Sequence, residues 1–320
     1  MTNPNRSRAL PGPKCLGILR EMQNSPNRET DDAQILNAVL EQLRNLGART
    51  DCLTPEEADR RELSDYDLLL PMCETYPRIK RLAGCAQRTG ARWFNPPEAV
   101  LNCYRLEMIS RLARAPEVRF PRCEVRRVQD GPGPAPFQAP ATGPSVAGAA
   151  RAEKHQRAAP GYWLKRGDVH NTCDHDVVFA AHWAHAGRVV EDFAQREITH
   201  FVVQPHIEGD ILKFYGVGPG RWFTWFHHDP TRARRTPFVM EELASMAAAG
   251  ARALGLEIYG GDAIVSPDGS ITLLDLNSWP SFARVRQEAA LQIAWHLQAR
   301  WLSRRAKTRT QASSSARRRK

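Results

Sequence analysis

Apolar positions fall into two spacings over the first hundred residues. Cys15 to Leu19 is a short apolar run. Asp31 to Leu46 carries Ile35, Leu36, Val39, Leu40 and Leu43, the three- and four-residue spacing of one helix face, and Gly47 ends it. Tyr66 to Leu70 predicts a second buried strand. Ile79 to Thr89 predicts a helix stopped at Gly90, and Arg92 to Phe94 a return to extended chain. Strands alternating with helices imply a small open parallel sheet over residues 14–94, an α/β domain. Residues 1–13 are polar and proline-bearing and predict a disordered start without a signal peptide.

A boundary follows at Asn95-Pro96-Pro97-Glu98. Asn95 reads as an N-cap, the prolines as the first turn and Glu98 as the third helical position, opening a helix to about Ala115. Phe120 to Val128 predicts a strand. Residues 129–160 are rich in Pro, Gly and Ala with almost no large apolar side chains, the composition of a disordered insertion. Beyond Gly161, the pattern predicts a strand at Tyr162–Lys165 and a helix at Asp174–Ala186. It then predicts strands at Thr199–Ile207 and Ile211–Val217, paired with each other, and at Trp222–Phe226. A helix at Phe238–Leu254, a hairpin of Leu256–Ser266 with Ser270–Asn277, and an amphipathic helix at Glu288–Leu302 complete the pattern.

Charge changes the picture at one end only. The 320 residues carry a net charge of +10, yet residues 303–320 alone hold eight basic side chains and no acid. The remainder is near balance, at 37 basic against 35 acidic side chains. The basic tail reads as a disordered, solvated end, or else as a weak contact for nucleic acid or an anionic surface. No apolar run approaches the ~18 residues of a membrane span. Seven cysteines at irregular spacing, without a Cys-x-x-Cys pair, argue against a disulfide framework and fit a reducing cytoplasm.

The densest chemistry lies at residues 260–282. Asp268-Gly269 between two apolar runs is a hairpin signal. With those two residues as the loop, Asp262 faces Asp275, and Asn277 lies two positions on, on the same face. Facing carboxylates repel, and a divalent cation relieves that; hard oxygen ligands without thiolates select Mg²⁺ or Mn²⁺. The competing reading has them in solvent or paired with Arg284 and Arg286. Lys165 ends the apolar strand Gly161-Tyr162-Trp163-Leu164-Lys165, a placement that suits a phosphate or a snorkelling surface lysine. His182 and His185 share the face of the expected helix, as a conceivable zinc pair or as surface histidines. Trp222, Trp225 and Phe226 read as sheet core.

Four stretches in order carry a resemblance. They are Asn95-Pro96-Pro97-Glu98-Ala99-Val100-Leu101-Asn102, Trp163-Leu164-Lys165, Val203-Gln204-Pro205-His206-Ile207-Glu208-Gly209 and Asp275-Leu276-Asn277-Ser278-Trp279-Pro280. Together they resemble the ATP-grasp superfamily, in its glutathione-synthetase and peptide-ligase branch. The resemblance implies an ATP-grasp module over residues 95–302, two α+β subdomains clamping ATP, behind the α/β domain. It implies Lys165 at the α- and β-phosphates and Lys213 at the γ-phosphate. Gln204, Pro205, His206 and Ile207 would form the adenine-reading strand, with Glu208 or Asp210 at the ribose. Asp262, Asp275 and Asn277 would be the magnesium ligands, and Trp279 to Phe282 a loop near the second substrate. Arg105 stands where the family usually carries a lysine, and Arg166-Gly167-Asp168-Val169-His170 where it carries a glycine-rich loop.

The activity implied is an ATP- and Mg²⁺-dependent carboxylate–amine ligase. It would act through an acylphosphate on a small molecule or peptide, with Lys165, Lys213 and Arg105 as catalytic side chains. The Gln204 strand, Lys213-Phe214-Tyr215 and the Asp275/Asn277 pair also resemble the inositol-trisphosphate kinase branch, whose activity would be phosphorylation of an alcohol. A non-catalytic nucleotide-binding protein is the third alternative.

Overall fold

The computed structural model describes residues 12–22, 29–137, 161–169 and 173–317. Of the disorder expected at residues 1–13 and 129–160, residues 1–11 and 138–160 lie outside the described residues, as does His170. Residues 129–137 are ordered instead, tied down by Arg126, which donates to Pro134 O (2.7 Å), and by Trp183, which donates to Gly133 O (2.9 Å). The chain divides into two compact units. One draws on the residues up to Glu21, those up to Phe94, and those from Ser281 onward; the other runs from Asn95 to Pro280.

The first unit is built on a four-stranded parallel sheet of order β2-β1-β3-β4. The strands are β1 (Lys14–Ile18), β2 (Arg49–Leu53), β3 (Leu68–Pro71) and β4 (Arg92–Trp93). The two inner strands are buried almost throughout, as a parallel sheet covered on both faces requires. Edge strand β2 reads Arg-Thr-Asp-Cys-Leu and has no apolar run, so periodicity passes over it. Helix α1 (Glu29–Asn45) presents the expected stripe and ends at Gly47, whose φ of +88° a side chain would resist. Between β2 and β3 lies α2 (Pro55–Asp59), opened by a capping box: Thr54 Oγ1 accepts from the Glu57 amide, and the Thr54 amide donates to the Glu57 carboxylate. Helix α3 (Tyr76–Arg88) precedes β4.

The second unit holds two four-stranded antiparallel sheets. One has the order β5-β8-β6-β7, from β5 (Glu124–Arg127), β6 (Tyr162–Arg166), β7 (Val177–Ala180) and β8 (His200–Pro205). Helix α6 (Ala186–Gln195) covers one face, where Leu164, Phe193, Phe201 and Val203 form a core. The other has the order β10-β9-β11-β12, from β9 (Asp210–Val217), β10 (Trp222–His227), β11 (Ile258–Val265) and β12 (Ile271–Ser278). The short α7 (Gly218–Arg221) joins β9 to β10, and α8 (Met240–Leu254) lies against the sheet. Of the three aromatic residues expected as sheet core, Trp225 packs against the α8 core, joined there by Phe223, while Trp222 and Phe226 are half-buried and outside it.

Several expected elements change. The helix from residue 95 to 115 is two helices, α4 (Pro97–Asn102) and α5 (Arg105–Leu112), divided where Tyr104 is extended. Pro96 is the N-cap, and Asn95 does different work. Its buried amide donates to Ile258 O (2.6 Å) and Ser278 Oγ (2.9 Å) and accepts from the Glu257 and Ile258 amides. Residues 174–186 do not form the single helix expected: two 3₁₀ turns, Asp174–Asp176 and Trp183–His185, flank a strand. The β-branched and aromatic run Val177-Val178-Phe179 pairs along β6 as strand β7, and α6 starts only at Ala186. β9 does not pair with β8, because β5 and β6 already occupy both edges of β8. The last helix, α9 (Arg286–Arg317), extends into the tail expected to be disordered, whose Ala, Arg, Lys and Gln are good helix formers; residues 318–320 lie outside the described residues. It belongs to the first unit rather than the second, where Arg286 bonds to Asp31 on α1 (2.5 Å). Among the described residues no helix is long and apolar enough to cross a membrane.

Candidate active site

The expected nucleotide- and magnesium-binding residues fall within the second unit, whereas the expected second-substrate loop Trp279 to Phe282 straddles the division at Pro280 and Ser281. On the sheet of β5 to β8, Lys165 and Trp163 are two apart on β6, so they share a face. Trp163 is opposite Gln204 on the neighbouring β8. Lys165 Nζ donates to Gln204 Oε1 at 2.7 Å. Burial lowers the Lys165 pKa to about 8; Arg105 pushes the same way, while Asp275, Cys123 and Asp262 oppose it.

Arg105 is the first residue of α5 and is 4% exposed. Its Nε donates to the Arg166 carbonyl at 2.8 Å. Burial depresses its pKa, with Asp275 and Asp176 acting against that. The break before α5 is therefore what turns this guanidinium inward at the end of β6.

On the other sheet, Asp262 and Asp275 are register partners, as are Gly260 and Asn277. A bulge follows, because Ala263 pairs with Leu273 and leaves Leu274 over. Asp262 is also opposite Lys213 on β9, whose Nζ reaches Asp262 Oδ1 at 2.8 Å. Arg286 pairs with Asp31 in the other unit's core helices, not with these carboxylates. Arg105, Lys165 and Lys213 thus supply positive charge around Asp262 and Asp275.

Past Gln204 and Pro205, the His206 amide donates to Gly161 O (3.1 Å), so it is already used within the sheet. Ile207 is buried and Glu208 pairs at the surface with Arg234 (2.7 Å). Asp210 is committed elsewhere: it accepts from the amides of Arg234 (2.7 Å) and Thr236 (2.9 Å). Burial would raise its pKa, but these backbone donors outweigh it and hold the carboxyl below its ordinary value. After β6, Arg166 grips Asp168 through two bonds of 2.8 Å and also faces buried Asp176. An ion-pair cluster therefore stands in the place of a glycine-rich loop. His182 and His185 lie on a 3₁₀ turn with rings 6.0 Å apart, and no group of three metal-binding Asp, Glu, His or Cys side chains occurs among the described residues.

Solved structures share this architecture. A RimK domain ATP-grasp protein from Sphaerobacter thermophilus matches at a TM-score of 0.61 and 16% identity, over 88% of this chain and 98% of its own. The D-alanine–D-alanine ligase from Bacillus anthracis, complexed with ATP, matches at 0.62 and 10% identity, over 93% and 100%. The VanG D-Ala:D-Ser ligase from Enterococcus faecalis matches at 0.64 and 12%, over 91% and 99%. The chain has the ATP-grasp fold. No protein-family model and no curated protein matches the sequence.

Within the ATP-grasp fold, the sheet of β5 to β8 carries an aromatic group that the sequence pattern does not predict. Trp163, Phe179 and His206 form an aromatic group beside Gln204, with ring centroids 5.1 to 6.2 Å apart. Trp163 Nε1 is bonded to His206 Nδ1 at 3.1 Å. Phe179 was assigned to a helix, so its place opposite Trp163 was not visible. The signal available was Trp163 itself, two residues before Lys165 on a strand.

Proposed function

We propose that the protein is an ATP- and magnesium-dependent carboxylate–amine ligase acting on a small-molecule or peptide acceptor. The observation that carries this is the opposed pair Asp262 and Asp275, ringed by Arg105, Lys165 and Lys213. An ATP-grasp fold with a buried lysine at the end of β6, its pKa lowered to about 8, supports it.

The donor set fits magnesium. Two carboxylates and the Asn277 amide oxygen are hard ligands, and two facing carboxylates need a cation more than a third acid. Bound magnesium, or manganese, would neutralise phosphate charge there. Lys165, freed from Gln204, would hold phosphate oxygens, and Arg105 would add a fixed guanidinium from α5. Lys213 holds Asp262 until phosphate competes for it. Gln204, Pro205, His206 and Ile207 would line the adenine, with the Pro205 carbonyl accepting from its amine and the Ile207 amide donating to a ring nitrogen. At the ribose, Glu208 has the exposed carboxylate, since both Asp210 oxygens are engaged.

In the reaction proposed, an acceptor carboxylate oxygen bonds to the γ-phosphorus and ADP leaves. The amine nitrogen of a second acceptor then bonds to the acyl carbon, inorganic phosphate leaves, and the amine gives up a proton. Positioning and charge neutralisation supply the catalysis. The test is ATP titration with and without Mg²⁺, followed by ADP and phosphate release with amino acids and peptides as acceptors. Magnesium-dependent binding and acceptor-dependent release of both products are expected. ADP release with a phosphorylated alcohol and no free phosphate would overturn the ligase in favour of a kinase.

A further inference from the structure

The sheet of β9 to β12 has a second face. Tyr259 and Asp262 are three residues apart on an unbroken stretch of β11, so their side chains point to opposite sides. Asp262 faces the candidate active site. Tyr259 faces α8, where an open cavity of about 270 Å³ lies between α7, the start of β10 and α8.

The lining is unusual for the back of a sheet. Arg221 from α7 and Arg252 from α8 both border the cavity, and both side chains are exposed. Among the described residues, neither forms an ion pair with a carboxylate. Tyr259 forms its floor and is 0% exposed. Burial raises its pKa and Arg252 draws it back. The hydroxyl end of its ring lies over Gly216 of β9, where an added Cβ would meet it at 2.2 Å. The ring is thus fixed by the strand beneath it. Trp222 and Ala248 supply apolar wall and Ser245 a hydroxyl at the edge.

We propose that this cavity is a binding site for a small anion with an apolar or aromatic body. The two guanidinium groups would take the anion, as planar forks that match carboxylate and phosphate oxygens. Trp222 and Ala248 would cover the body, and the Tyr259 hydroxyl would donate from the floor. The site stands on the opposite side of β11 from the proposed nucleotide site, and its test does not depend on that assignment.

Phenyl phosphate and benzoate serve as probes, titrated calorimetrically and by tryptophan fluorescence into the full chain. They separate a phosphate from a carboxylate preference; saturable binding of either supports the site. The Arg221→Ala/Arg252→Ala double variant removes two exposed side chains and should melt at the wild-type temperature. It is expected to bind the preferred probe at least about tenfold more weakly. Tyr259→Phe keeps the packing and should weaken binding several-fold. Equal affinity in the double variant, no saturation with either probe, or displacement of the probe by ATP would each overturn the proposal.

Discussion

Asp262 and Asp275 face each other because two irregularities in their hairpin cancel. A two-residue Asp268-Gly269 loop would bring them opposite directly. The loop is instead Pro267-Asp268-Gly269, closed by Ser266 and Ser270 and turned by Gly269 at φ +81°. That slips the register by one, and the unpaired Leu274 slips it back before Asp275 is reached. The facing carboxylates repel each other, and Lys213, Lys165 and Arg105 offset that repulsion. Asp275→Asn relieves the repulsion but removes a counter-charge from buried Arg105 and Lys165, so it is expected to fold with a Tm close to that of wild type while losing about tenfold or more in magnesium-dependent ATP affinity. Calorimetry beside thermal melts checks both; a lower Tm would show the carboxylate to be structural.

Lys165 makes a prediction about pH. Its pKa in the folded protein is about 8, below the ordinary 10.5, so its charge opposes folding while both states are protonated. The penalty is present in full below pH 8 and fades as pH rises from about 8 towards 10.5. Lys165→Met should therefore melt higher than wild type at pH 7, with a gap that narrows above pH 8. It should also lose ATP binding. Phosphate would restore the ammonium, so wild-type binding near pH 8 should take up protons, visible as a buffer-dependent heat.

Asn95 ties the start of α4 to β11 and β12 through four hydrogen bonds at zero exposure. Asn95→Ala strands several buried partners at once. Its expected cost is about 2–4 kcal/mol in chemical denaturation. A cost below about 0.5 kcal/mol, the range of a simple exposed position, would contradict this account.

Asp210 and Glu208 should separate cleanly. Asp210→Ala removes the acceptor for two loop amides and should destabilise by about 1–3 kcal/mol. Because its folded pKa is depressed, that stabilisation exists at neutral pH and disappears as pH falls through the folded value. Glu208→Ala should leave stability nearly untouched, since its partner Arg234 is exposed. Weaker ATP binding is expected from Glu208→Ala, read by titration. Loss confined to Asp210→Ala would reverse the ribose assignment.

Much of this was legible where local chemistry and tertiary structure agree. The stripe of α1 and the runs of β1 and β3 are buried as periodicity requires. The opposition of Asp262 and Asp275 was legible too, though by a loop that is not the real one. What failed depended on partners distant in sequence. Val177-Val178-Phe179 becomes a strand only because β6 offers an edge, and that hid the aromatic group around Trp163. The capping signal at Asn95 was outweighed by acceptors and donors more than 160 residues away. β9 took β11 because β8 had no free edge, a fact no local pattern records.

The first unit begins early in the chain and is finished by residues after Ser281, with α9 seated on α1. In a cell, where the chain emerges from its N-terminus, α1 must wait while the whole second unit is made. The contact between α1 and α9 therefore forms only after the second unit has been made. The unit that is started first is the one completed last, and the final helix serves as the clasp that closes it.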